Sequence, residues 1–197
     1  MTADLEDFDD HVRRHDPDRW LASRFIGDAQ ARDDVITLYA FGHELSKAAR
    51  VSEPMLAEIR LTWWSEALDE IFEGRPVRRH PVALALADVI ARRRLPREPL
   101  DAMIEPRYDN PASRQVGPVM RLAAYILCGE WAIVACAAEG WVDHDPEQLI
   151  EANQNLRDLP ARGFPAVAFA TLARARPDAG PFERRLRLMW AVMRGRL

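Results

Sequence analysis

Residues 38–68 read LYAFGHELSKAARVSEPMLAEIRLTWWSEAL, and this stretch decides the fold. Val35, Leu38, Gly42, Leu45 and Ala49 recur at the 3.6-residue period, with Ile36, Tyr39 and Phe41 widening the stripe, which predicts a helix over 28–50. Glu53-Pro54 ends it and starts the next, because proline disfavours helix before itself yet fits a first helical turn. The second helix carries Met55, Ile59, Trp63, Ala67 and Ile71 at fourfold spacing, with Trp64, Leu68 and Phe72 beside them. Gly74-Arg75-Pro76 closes it.

The same grammar runs outward along the chain. Proline brackets shorter helices over 82–93 and 97–104, and Tyr108-Asp109-Asn110-Pro111 reads as a loop. An apolar stretch over 119–141 is interrupted at Gly129-Glu130. Asp145-Pro146 opens a helix to Asp158, and further helices cover 164–176 and 182–196. No strand-like alternation persists for more than a few residues. The expected architecture is all-α, a single bundle of about eight to ten helices, with an acidic segment over 1–19 and the helical domain over 20–197.

Composition narrows the function classes. The chain has 197 residues and a net charge of −4, which argues against the basic footprint of a nucleic-acid binder. Of 27 basic residues 26 are Arg, which reads as the base composition of a GC-rich genome. No apolar run reaches the ~18 residues of a membrane span. Seven acids precede residue 19, where a secretory or mitochondrial leader would be basic, so a cytoplasmic protein is expected. Cys128 and Cys136 have no metal-ligand spacing and read as small core residues.

Candidate chemistry is sparse. Glu6, Asp9 and Asp10 cluster in a polar segment and read as a solvated face. Asp33-Asp34 suits the first turn of a helix, and Glu66, Asp69, Glu70 and Glu73 suit a solvated helix face. His11 and His15, four residues apart, form the one His-x-x-x-His pair, but their acidic, polar setting points to solvent rather than to a metal. His43 and Glu44 read as solvated or salt-bridged. No phosphate loop, serine elbow or Cys–His pairing occurs.

Leu38-Tyr39-Ala40-Phe41, Val51-Ser52-Glu53-Pro54, Glu58-Ile59-Arg60-Leu61, Trp63-Trp64 and Ala67-Leu68 together resemble the squalene/phytoene synthase family. The resemblance continues through His80-Pro81-Val82-Ala83 and Leu95-Pro96-Arg97, and covers about 20–110. It implies the all-α isoprenoid-synthase fold, a bundle around a central cavity, shortened here in its C-terminal half. Catalytic members hold magnesium on two acid-rich helices, and the metal neutralises a diphosphate leaving group as an allylic cation forms. The first acid motif, carried over, falls on Ser46, Lys47 and Arg50: one neutral hydroxyl and two cations. The nearest second-motif segment holds Arg157-Asp158, but Ala161 and Arg162 stand where further acids belong, and Pro160 would break the helix presenting them.

The resemblance therefore implies no catalytic residues and no metal ligands, with magnesium a cofactor only if the chain is a prenyl transferase after all. The variant most like this pattern is the divergent branch that includes the mitochondrial complex I assembly factor. That branch implies a non-catalytic protein acting by binding, in assembly of a membrane respiratory or bioenergetic complex or as a subunit of one. The alternatives are a transferase condensing isoprenyl diphosphates and an isoprenoid- or lipid-binding protein.

Two residue groups carry those readings. Tyr39, Phe41, Arg60, Trp63 and Trp64 either line the cavity or mark a partner surface, with core packing the plainer role. Successive residues point about 100° apart on a helix, so one indole is expected in the core and the other as a lid or contact. In the last helix Leu186, Met189, Trp190, Met193 and Leu197 form a stripe, while Arg184, Arg185, Arg187, Arg194 and Arg196 crowd the other faces. A basic amphipathic helix with tryptophan either packs its stripe on the bundle or docks on a partner or the inner face of a membrane. No nucleic acid is expected among the partners.

Overall fold

A computed structural model describes residues 2–110, 116–129, 152–174 and 179–197. Among them the regular elements are helices, with no strand: α1 (Thr2–His15), α2 (Pro17–Ser23), α3 (Ala29–Ala49), α4 (Pro54–Phe72), α5 (Pro81–Arg93), α6 (Glu98–Ile104), α7 (Pro106–Asp109), α8 (Val116–Cys128), α9 (Pro165–Ala168) and α10 (Pro181–Arg194). Short 3-10 turns cover Leu156–Asp158, Ala161–Gly163 and Phe169–Arg174. None of the described helices is long and apolar enough to cross a membrane.

α3 is the central post. Asp28 caps it by accepting a hydrogen bond from the Ala31 amide at 2.6 Å. Its Val35, Leu38, Phe41 and Leu45 are fully buried, and α1, α4, α5 and α8 all pack against it. Leu100 and Met103 of α6 and Met120 and Leu122 of α8 complete the interior. Asp34, expected as a dipole-complementing acid at the helix start, lies deeper. It is buried and receives Arg93 Nε at 2.6 Å and Arg92 Nη2 at 3.1 Å, tying α3 to α5.

The acidic N-terminal segment is helical and joins this core through Phe8 and Val12. Asp9 is engaged rather than merely solvated: it accepts from Trp20 Nε1 at 2.9 Å and from Arg24 Nη2 at 2.6 Å, clasping α1 to α2. The acids of α4 differ from expectation in the same way. Glu70 and Glu66 both receive Arg78, and Asp69 receives Arg97.

Helix ends follow the local signals. α4 stops before Gly74, whose φ of +69° suits a residue without a side chain, and α10 stops at Gly195 with φ +60°. α5 instead ends on Arg94 at φ +53°. The expected loop at Tyr108-Asp109 is the last half of α7, because Pro106 supplies a ready first turn. The helix expected over 164–176 divides into α9 and a 3-10 turn. Cys136, Asp145 and most of the helix expected after Asp145 lie outside the described residues.

Helix existence is better matched than helix facing. On α4 the buried face is Ala57, Leu61, Trp64 and Leu68, whereas Met55 and Ile59, at the head of the expected stripe, are 74% and 58% exposed. On α10 Leu188 and Ala191 point inward, while Leu186, Met189, Trp190 and Met193 face out. Each helix carries apolar residues on two nearly opposite faces, and periodicity alone does not choose between them.

Candidate functional site

The C-terminal half of α3 and the first half of α4 enclose a groove of about 380 Å³. Trp63 and Trp64 form one wall, with Ile59 beside them. Glu44, Lys47 and Ala48 of α3 face them, Arg60 stands on the α4 side, and His80 adds a ring. Both indoles line one groove, Trp64 from the core and Trp63 from its half-exposed rim. Trp64 is buried, Trp63 half-buried, and their rings meet edge to face at 4.9 Å. Long aromatic side chains reach sideways, and His80 joins them from outside the helix, 5.6 Å from Trp63 and 5.0 Å from Trp64.

The sequence builds this corner through Arg78. Its Nη1 donates to the Trp63 carbonyl at 2.9 Å, and its guanidinium lies 4.8 Å from the Trp63 ring centroid. The Glu70 carboxylate accepts from both the Arg78 side chain and its amide, which holds the Glu70 pKa below its ordinary value. The segment after α4 is thereby folded back, and His80 is delivered to the indoles just before α5 begins. Burial lowers the His80 pKa. Glu44 opposes that shift and Lys47 adds to it, while His80 Nδ1 is buried with no hydrogen-bond partner among the described residues.

The three positions that the resemblance assigned to the first acid motif lie on this end of α3. Ser46 turns its hydroxyl back to the Gly42 carbonyl at 3.0 Å. Lys47 borders the groove and lies 3.6 Å from Glu44. Arg50 is exposed at the C-cap. Beneath it Arg107 is buried, and burial first, then Arg50 and Arg19, push its pKa down to about 10. One hydroxyl and two cations are not a magnesium donor set, which wants carboxylate and water oxygens. The second-motif candidate, Asp158, is exposed at the end of a 3-10 turn, followed by Pro160 and the exposed Ala161 and Arg162.

The other candidates separate from the groove. Phe41 is buried and packs edge to face on Trp64 at 5.4 Å, behind the wall. Tyr39 is buried under the Arg19 guanidinium, and burial raises its pKa. Arg185, Met189, Trp190 and Arg194 are all exposed on α10, and the Arg194 guanidinium lies 4.3 Å from the Trp190 ring centroid. A second, larger hollow of about 680 Å³ lies beside Trp190, Arg194 and Asn153.

Sequence reasoning missed a grouping. His11 and His15 on α1 meet His43 on α3, with ring centroids 4.3–4.5 Å apart. The one signal present was the four-residue spacing of His11 and His15. His43 joins them only through the packing of α1 on α3.

No curated protein matches this chain. A sequence model of squalene/phytoene synthase matches residues 12–127, from the last turns of α1 through most of α8 and past the quoted blocks at both ends. That span is more than half of the chain, and with the all-helical bundle it shows that the chain belongs to the squalene/phytoene synthase family.

Proposed function

We propose that this chain is a non-catalytic member of its family that works by binding. The observation carrying the reading is the character of the α3 end: Lys47 and Arg50 put cations, and Ser46 a helix-bonded hydroxyl, where the family chemistry needs carboxylates. A cation at such a position repels a divalent metal, and the repulsion grows as the surroundings become less polar. The partner we propose is a component of a membrane respiratory or bioenergetic complex, the role of the divergent branch that this pattern resembles. The outward row Met189, Trp190 and Met193, flanked by Arg185 and Arg194, supplies an apolar, basic face for that contact or for the inner face of a membrane.

The test is turnover. Purified chain incubated with farnesyl or geranylgeranyl diphosphate and Mg²⁺ should release no diphosphate and form no coupled product. Metal-dependent turnover would reinstate the transferase reading.

A second reading has its own support. The groove sets two indoles, Ile59 and Arg60 of one helix against Lys47 and its ion-pair partner Glu44, and the surplus cation and apolar wall suit an isoprenoid or lipid with an anionic head. It predicts an apolar molecule copurifying with the protein. Solvent extraction with mass spectrometry would reveal it, and empty extracts over several preparations would count against the carrier role.

A further inference from the structure

We propose that His11, His15 and His43 form a binding site for a transition-metal dication of the zinc class, which staples the N-terminal helix α1 to the central helix α3. Neither this site nor its ligands belong to the groove reading above, and the two stand or fall separately.

The geometry comes first. His11 and His15 are one turn apart on the same face of α1, and His43 reaches them from α3. One ring nitrogen from each lies within 4.8 Å of the other two. Ligands about 2.0–2.1 Å from a tetrahedral zinc ion stand roughly 3.3 Å apart, so small rotations of the rings close the site.

The hydrogen bonding is also that of ligands. His15 Nδ1 and the His11 carbonyl oxygen are 2.8 Å apart; when Nδ1 carries the proton it donates there and leaves the Nε2 lone pair available. Metal-bound histidines habitually fix their tautomer in this way. His11 Nε2 is buried with no hydrogen-bond partner among the described residues, which is costly unless something occupies it.

The donor set selects the ion. Three imidazoles suit zinc, copper, nickel or cobalt, whereas magnesium and calcium want oxygen. Three protein ligands leave a fourth position, and the exposure of His15 places the cluster at the surface, where water can fill it. Glu44 and Asp7 lend negative potential, which Lys47 partly opposes. The ion would bind between α3 and a helix that contributes Phe8 and Val12 to the core, so its occupancy should be felt by the fold as well as by the site.

The experiment uses the full chain after chelator treatment, titrated calorimetrically with Zn²⁺ and separately with Mg²⁺. Thermal melts are recorded in parallel, and the Co²⁺-loaded chain supplies a visible spectrum. We expect one Zn²⁺ per chain, a rise in Tm on loading, the spectrum of four-coordinate cobalt, and no competition by Mg²⁺. His15→Ala removes an exposed side chain and should leave the fold intact, yet weaken Zn²⁺ at least ~100-fold and abolish the Tm rise. His43→Asn should do the same from the other helix. Absence of Zn²⁺ binding by the wild type would overturn the proposal. So would binding that His15→Ala leaves unchanged, which would place the ion on the acidic surface instead.

Discussion

Arg93 Nε donates to Asp34 Oδ2 at 2.6 Å across 59 residues of chain, and the carboxylate it reaches is 1% exposed. Arg92 and Gln30 complete the cage. The buried partner is the acid, while both arginines keep one side in water. Removing the cations is therefore worse than removing the acid, since it strands a buried charge. The double variant Arg92→Met/Arg93→Met should lose about 3–5 kcal/mol in urea unfolding. Asp34→Asn should lose about 1–3 kcal/mol. The reverse order would show that the carboxylate is not buried as described.

Gly163 marks a close approach between the 3-10 turn and α8. A Cβ added there would stand 2.6 Å from Cys128 Sγ and 3.2 Å from Leu159 Cδ1. The sulfur is not a loose end, because it hydrogen-bonds to the Ala124 carbonyl at 3.2 Å. Gly163→Ala should cost about 1–3 kcal/mol by overpacking, and Cys128→Ala in the same chain should recover part of that loss. Denaturant midpoints of the two variants test it.

The facing of α10 is directly measurable. Leu188→Ala empties a buried position and should cost about 2–5 kcal/mol. Met193→Ala, at 69% exposure, should stay within about 0.5 kcal/mol. If instead Met193 proves costly and Leu188 neutral, the stripe read from the sequence packs inward and the outward face disappears.

His80 gives a pH dependence with a defined sign. Burial between the indoles lowers its pKa below 6.5 in the folded chain, so on acidification the unfolded chain takes up the proton first. Stability should be fully present above pH 6.5 and fall as the pH drops through that value toward the lowered pKa. Glu44 moderates the loss and Lys47 increases it. His80→Phe keeps a ring against Trp63 and Trp64 while removing the proton. Its stability should decline less steeply below pH 6.5 than the wild type's, as followed by unfolding at a series of pH values. Equal slopes would contradict the buried imidazole.

Much of the fold is legible in the sequence because helix ends are local chemistry. Glu53-Pro54 and Gly74 fix the limits of α4 wherever α4 comes to rest, and Asp28 caps α3 with its own side chain. Facing is less legible. Met55–Ile59 and Leu61–Trp64 are both apolar rows, and only the packing of α4 on its neighbours selects the second. The groove was half legible: Trp63, Trp64 and Arg60 were singled out, while His80 reaches them only because Arg78 folds the chain back onto Glu70. The histidine cluster was least legible, since His43 is 28 residues from His15 and no period connects them.

The proposed function turns on the loss of the family's metal–diphosphate chemistry at the α3 end. Its most direct test is a calorimetric titration of the purified chain with a non-hydrolysable farnesyl diphosphate analogue, with and without Mg²⁺. With Lys47 and Arg50 in the acid positions, binding should be weak or indifferent to magnesium. Tight binding that requires magnesium would contradict the account and return the chain to the transferases.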